Sequence, residues 1–273
     1  MARIAFHSSS TAMLSFEDDL KLAKLTGYNG IVCAYGKMHE YLETGNQKDL
    51  KSVAKDANVA IFGIANIPVD LREVGEETVR EVKRCARLVR AMKGNFVSIT
   101  PTRFPADQAD EEALMAEYTV RLAAVAEGAA EYGVQVAVEM EEPHRFLTNP
   151  VKISYIISRA GRDNLGFVLD TFAFWRAGVS IEEMETIERH FSAVYLADAP
   201  DKDRKKLKES DRLPLGEGVI DMERVLRVIC KSGYKGVFTI KLHGENRTKQ
   251  KYREMLKEAR ENLQAHLEIM TYL

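Results

Sequence analysis

Short apolar runs alternate with longer amphipathic ones along the whole chain. The apolar runs predict eight strands, at Arg3–His7, Gly30–Ala34, Val59–Ile64, Phe96–Thr100, Val134–Met140, Leu165–Asp170, Ser192–Ala197 and Gly236–Leu242. Between them apolar residues recur at steps of three and four. Val79, Val82, Ala86, Val89 and Met92 form one such stripe. Leu114, Tyr118, Leu122, Val125, Ala129 and Tyr132 form a second, and Tyr252, Leu256, Ala259, Leu263, Leu267 and Met270 a third. That spacing puts each set on one face of a helix. Gly or Asn punctuates several of the joins, as at Gly27-Tyr28-Asn29-Gly30, Gly94-Asn95 and Gly233-Tyr234-Lys235-Gly236. A glycine just past a helix can take the left-handed cap conformation without a Cβ clash.

Several of these strands carry no polar break, for example Gly166-Phe167-Val168-Leu169. Such runs suit a parallel sheet covered by helices on its outside. Eight strand-then-helix units with no linker between them predict a single (β/α)₈ TIM barrel, one domain over residues 1–273. The rival is an open, doubly wound sheet. A dinucleotide enzyme of that kind carries a GxGxxG turn after its first strand, and here that position reads Ser8-Ser9-Ser10-Thr11.

Composition narrows the class. Apolar residues make up 45% of the 273 and charged residues 29%, as in a globular protein. Lys+Arg 39 against Asp+Glu 41 gives a net charge of −2, which argues against a nucleic-acid partner. No apolar stretch is long enough to span a bilayer, and the N-terminal residues lack a secretory pattern, so no membrane partner is expected. Cys33, Cys85 and Cys230 are odd in number, far apart and without a CxxC pair. They read as reduced thiols in a cytoplasmic protein.

In such a barrel the active site forms at the C-terminal ends of the strands. Polar residues there are His7 on strand 1, Asn66 beyond strand 3, Thr100 on strand 4, Glu139 on strand 5, Asp170 on strand 6 and Lys241 on strand 8. Glu139 shares a strand face with Ala137. Asp170 and Lys241 each follow four residues without a charge. A charge on an apolar rim is costly unless paired or ligated. These three therefore form either an ion-pair network closing the barrel mouth or a catalytic cluster. His144 falls in a loop, His243 alternates with Lys241 on strand 8, and Trp175 follows strand 6. The charge-dense stretch Asp201–Arg212 reads equally as a solvated loop or as a lid over a substrate.

Five segments together resemble the xylose isomerase-like TIM barrels, the sugar phosphate isomerase/epimerase group. They are Val136-Ala137-Val138-Glu139, Leu169-Asp170-Thr171-Phe172, Phe174-Trp175-Arg176-Ala177-Gly178, Leu196-Ala197-Asp198-Ala199-Pro200 and Arg212-Leu213-Pro214-Leu215-Gly216-Glu217-Gly218. The match covers roughly residues 130–245, and the first half matches mainly in strand rhythm. The resemblance implies a divalent metal, Mn²⁺, Mg²⁺ or Zn²⁺. Its ligands would be a Glu on strand 5, an Asp on strand 6, a His or Gln on strand 7 and a Glu on strand 8. Glu139 and Asp170 match the first two. Tyr195 stands at the third position, Lys241 at the fourth, and Ala173 where a further His is expected.

A protonated lysine has donors and no lone pair, so it cannot be a ligand. Lys241 could instead supply the charge a metal would bring, act as a base with a depressed pKa, or form a Schiff base. A ligand set rebuilt from Glu141, His144 or His243 is a further alternative. The reading implied by the resemblance is an isomerase, epimerase or related lyase acting on a small polyhydroxylated carbonyl compound by proton transfer next to the carbonyl. Glu139, Lys241 and Asp170 would be catalytic. His7, His144, Trp175, Arg176, Tyr195 and Arg212 would contact the small-molecule substrate, and homo-oligomeric assembly stays open. The alternative is a non-catalytic or regulatory barrel that binds a small molecule and has lost the metal chemistry.

Overall fold

The structure, a computed structural model, describes residues 2–44, 49–103, 110–140, 149–187, 190–244 and 247–271. Eight strands are β1 (Ile4–His7), β2 (Gly30–Ala34), β3 (Ala60–Asp70), β4 (Phe96–Arg103), β5 (Gln135–Val138), β6 (Leu165–Asp170), β7 (Phe191–Leu196) and β8 (Phe238–Ile240). Each pairs in parallel with its sequence neighbours, and β8 closes on β1. The architecture is a (β/α)₈ barrel.

The helices between them are α1 (Phe16–Thr26), α2 (Tyr35–Thr44), α3 (Asp49–Ala57), α4 (Glu76–Ala91) and α5 (Glu111–Ala130). They continue with α6 (Pro150–Ala160), α7 (Thr171–Ala177), α8 (Ile181–Ile187), α9 (Met222–Lys231) and α10 (Lys249–Thr271). Their ends follow from the sequence. Ser15 accepts a hydrogen bond from the Asp18 N–H at the start of α1, and Asp110 and Asn149 cap α5 and α6 in the same way. Gly27 ends α1 with φ at 77°, in the left-handed region. The apolar stripe of α5 is buried from Leu114 through Ala129, and that of α10 from Tyr252 through Leu263. Burying each such Leu or Val contributes about 1.5–3 kcal/mol.

Strand alternation sorts the residues into two layers. Ile4, Phe6, Ile31 and Cys33 face outward to the helices and join the large core. Ala5, Val32, Phe62, Phe96, Ala137, Val168, Ala193, Tyr195 and Val237 fill the barrel interior. Continuing the inward rows toward the C-terminal ends places His7, Ser98, Glu139, Asp170, Thr239 and Lys241 in or above that interior.

The strand ends differ from the sequence expectation. β3 runs on to Asp70 and β4 to Arg103, because Pro68 pairs with Thr100 and Asp70 with Arg103. Register shifts interrupt β3 between Ile64 and Ile67, where Asn66 adopts φ of 60°. β5 and β8 are shorter than expected and stop before Glu139 and Lys241. Those two residues nevertheless continue the ladder, Glu139 N–H donating to Ile99 O at 2.9 Å and Lys241 N–H to Leu196 O at 3.0 Å.

Candidate active site

A cavity of about 440 Å³ opens at the C-terminal mouth of the barrel. Glu139, Asp170 and Lys241 lie at its floor, with Asn66, Arg212 and Arg176 around them. Ser9, Glu209 and His243 complete its polar lining. The size suits one small ligand.

Lys241 joins the two carboxylates. Its Nζ lies 3.2 Å from Glu139 Oε2 and 3.3 Å from Asp170 Oδ2, and all three side chains are largely buried. Below it the Tyr195 ring centroid is 4.9 Å from Nζ. Burial works to lower the Lys241 pKa, but Glu139 and Asp170 outweigh it and hold the ammonium above its ordinary range. Of the three readings open for Lys241, this pairing with two carboxylates favours the fixed cation over a base with a depressed pKa. A Schiff base also needs a neutral amine, so the same pairing disfavours it.

Asp170 ends β6 and caps α7, accepting from the Ala173 N–H at 3.2 Å. Arg212 grips its two oxygens in a fork, Nη1 to Oδ1 and Nη2 to Oδ2, each at 2.8 Å. Burial alone would raise the Asp170 pKa. Arg212 and Lys241 more than offset it and hold the carboxylate well below its usual range. Arg212 also donates from Nε to Glu209 Oε2 at 2.7 Å, lies over the Phe172 ring, and is 2% exposed. Arg176 meets the other oxygen of Glu209 at 3.3 Å. The stretch Asp201–Arg212 is thus tied to the mouth at its far end, where Leu213 pairs antiparallel with Asp198.

Glu139 is held from the opposite side. Ser98 Oγ donates to its Oε1 at 2.6 Å, and the Asn66 backbone N–H donates to the same oxygen at 3.2 Å. Asn66 Nδ2 reaches Oε1 at 3.1 Å and Oε2 at 3.0 Å. Oε1 takes three donors and Oε2 takes two, Asn66 Nδ2 and Lys241 Nζ, so both oxygens are engaged and Oε2 is the less crowded. On sequence alone Asn66 stands near the mouth without a role, and Ser98 is not among the candidates. The available signal is inward alternation, Phe96, Ser98, Thr100, which puts two hydroxyls on the inner face of an otherwise apolar strand.

The remaining candidates are placed differently. Tyr195 is fully buried one layer down, its hydroxyl 3.1 Å from Ser98 Oγ. Burial and the nearby Glu139 push its pKa well above the ordinary value, so it stays a phenol. His7 is also fully buried, edge-on to the Tyr195 ring. Its Nδ1 accepts from the Ser9 N–H at 3.2 Å, so the neutral ring carries its proton on Nε2. Burial, then Lys241 and Arg212, lower its pKa well below 6.5. Trp175 stands apart from the central cavity and stacks under Arg204, whose guanidinium carbon is 3.6 Å from the ring centroid. His144 and Glu141 lie outside the described residues.

With this geometry in place, the comparisons decide the family. The sequence profile of the xylose isomerase-like TIM barrel matches residues 20–266. The chain belongs to that family. A protein named inosose isomerase from Bacillus velezensis is 26% identical over 273 residues, 96% of each chain. One of the same name from Halalkalibacterium halodurans is 26% identical over 235 residues, 82% of this chain and 81% of that one. Among solved structures, an IolI protein with a bound zinc atom superposes with a TM-score of 0.81 at 21% identity, covering 97% of this chain and 96% of that one. An L-ribulose 3-epimerase gives 0.76 at 18% identity, with 98% and 95% covered. At these identities the structures attest the shared fold.

The family's four-ligand metal site does not fit the residues present. A cation held by Glu139 and Asp170 needs lone pairs facing a common point. Lys241 Nζ already stands between their facing oxygens, and Arg212 occupies both oxygens of Asp170. Tyr195, at the strand-7 position, is a buried phenol turned to Ser98. Among the described residues no three His, Cys, Asp or Glu side chains converge as a metal site.

Proposed function

We propose that the chain is a sugar isomerase or epimerase whose substrate is a small, uncharged, polyhydroxylated ketone of the inosose kind, with Lys241 as a built-in cation in place of a metal. Two lines support the class: family membership, and two relatives named inosose isomerase that match most of the chain. The observation that carries the finer reading is the Glu139–Lys241–Asp170 bridge at the cavity floor.

Charge pairing supports an uncharged substrate. Among the described lining residues Arg212 is committed to Asp170 and Glu209, Arg176 meets Glu209, and Lys241 bridges Glu139 and Asp170. Three cations face three carboxylates, so a phosphate would have to break an ion pair to bind. A polyol needs only hydrogen bonds, and the cavity offers many.

The chemistry centres on Glu139 Oε2, the less crowded of its two oxygens. Glu139 Oε2 takes a proton from the carbon beside the carbonyl. Of the three Lys241 N–H bonds, two point at carboxylates and the third serves the carbonyl oxygen as negative charge develops there. Asp170 and Arg212 fix the lysine from behind. The cavity is recessed in the barrel, which strengthens these charges relative to water.

The test incubates purified protein in D₂O with a panel of inososes, free ketoses and sugar phosphates, and follows loss of the proton next to the carbonyl by NMR. Exchange or product formation with an uncharged ketone is expected, falling by about 10²–10⁴ in Glu139→Gln. Turnover confined to sugar phosphates would overturn the substrate class. No exchange with any ketone would favour the non-catalytic binding barrel.

A further inference from the structure

Behind α7 lies a second cavity of about 210 Å³, and none of its described lining residues lines the barrel mouth. Neighbours on α7 serve the two spaces: Arg176 lines the mouth and Trp175 the second cavity. The floor is apolar. Val179, Met184, Ile220 and Val225, from α8, α9 and the turns before them, are all buried there. An apolar cavity of about 150 Å³ holds benzene, so this one has room for a six-membered ring with one polar group attached.

Most polar groups of the lining are already engaged. Thr171 Oγ1 donates to Ala197 O at 2.6 Å and accepts from the Ala197 N–H at 3.0 Å. Ser180 accepts from the Glu183 N–H at 3.2 Å at the start of α8. Asp221, exposed, accepts from the Arg224 N–H at 3.0 Å and faces the positive end of α9. Two donors stand apart. The Trp175 Nε1–H is buried and meets no acceptor. The Arg204 guanidinium lies over the same ring, its carbon 3.6 Å from the centroid. The acidic residues near it in sequence are used elsewhere, Asp203 on Lys206 at 3.9 Å and Asp211 on Lys202 at 2.6 Å. A buried donor without an acceptor is costly, and a guanidinium matches a carboxylate with two parallel N–H groups.

We propose that this cavity is a binding site for a small monocarboxylate with a compact apolar body, a ring or branched chain of about six carbons. The carboxylate accepts from Arg204 and from the Trp175 Nε1–H. The apolar body covers Val179, Met184, Ile220 and Val225. Stacking over the indole holds the guanidinium in place before the ligand arrives, so little freedom is lost on binding. The inference stands apart from the function proposed above, because the two cavities have separate linings.

Trp175 is the only tryptophan in the sequence, so its fluorescence reports on this cavity. The whole protein is titrated with benzoate and, separately, with benzyl alcohol, which keeps the ring and lacks the charge. Benzoate should change the fluorescence saturably with a Kd of about 1 mM or below, and benzyl alcohol should bind at least about ten-fold more weakly. Arg204→Gln keeps the apolar floor and the fluorophore, and should bring benzoate down to the level of benzyl alcohol. A linear, non-saturating response to benzoate overturns the proposal. So does equal binding of the two probes to the unaltered protein, or a benzoate affinity that Arg204→Gln leaves unchanged.

Discussion

An ammonium and a divalent cation stabilise neighbouring carboxylates alike, but only the metal accepts lone pairs. Lys241 therefore satisfies Glu139 and Asp170 electrostatically while closing the position a metal would use. Replacing it by Glu removes the competing charge and adds a third oxygen donor facing the same point. In a calorimetric titration with Mn²⁺, the unaltered protein should give no saturable heat, and Lys241→Glu should bind at least about ten-fold more tightly. Tight Mn²⁺ binding by the unaltered protein, abolished by changing Glu139 and Asp170, would show that the lysine moves aside and the metal site works. Glu139 and Asp170 were legible because each puts a charge at the end of an apolar strand. Arg212 was legible only through the family resemblance. Its guanidinium reaches Asp170 across 42 positions of sequence, and no local pattern records that contact.

At the scale of elements, the segment after β7 decides where Arg212 sits. Asp198 is buried and accepts four backbone N–H groups: Ala199 at 2.8 Å, Ile220 at 3.0 Å, Gly216 at 3.1 Å and Gly218 at 3.0 Å. Those bonds fold residues 213–220 back over the barrel, and the Asp198–Leu213 bridge then aims Arg212 inward. Gly218 is required by the same closeness, since a Cβ there would meet Ala199 O at 2.2 Å and Asp198 Oδ1 at 2.4 Å. Gly218→Ala should cost about 1–3 kcal/mol in urea unfolding. Asp198→Ala, which strands several buried N–H groups, should cost about 3 kcal/mol or more and lower kcat with it. Stability and kcat unchanged in Asp198→Ala would remove this segment from the account of the site. The eight strands were legible as apolar runs because each is covered by helices. Their ends were less so. Asn66-Ile67-Pro68 reads as a loop, and only pairing with β4 keeps it in β3. The left-handed backbone at Asn66, which aims two N–H donors at Glu139, leaves no trace in hydrophobic periodicity.

Among the described residues most of the buried charged and titratable side chains gather at the barrel mouth, and that has a cost in acid. The barrel interior below the mouth is apolar, and no described helix is long and apolar enough to cross a membrane. Stability then depends on how the few buried titratable groups bind protons in the folded and unfolded chain. His7 has a folded pKa depressed well below 6.5 by burial and by Lys241 and Arg212. Below pH 6.5 the unfolded chain takes up a proton there that the folded one refuses. Its contribution is therefore full above 6.5 and is lost as pH falls toward the folded value. Asp170, also depressed, acts with the same sign at lower pH, below the ordinary carboxylate range. Asp19 works the other way. Burial pushes its carboxyl up to about 7 despite Lys37 at 2.6 Å, so its share falls as pH rises from about 4 to 7. Comparing the protein with His7→Asn separates the groups, since Asn keeps an acceptor for the Ser9 N–H and leaves Asp19 and Asp170 in both proteins. Each proton difference is worth about 1.4 kcal/mol per pH unit. Between pH 6.5 and 5 the unaltered protein should therefore lose stability relative to His7→Asn, read from urea unfolding at the two pH values. A gap between the two proteins that stays constant over that range would mean that His7 protonates as readily folded as unfolded, and that the floor of the barrel is open to protons.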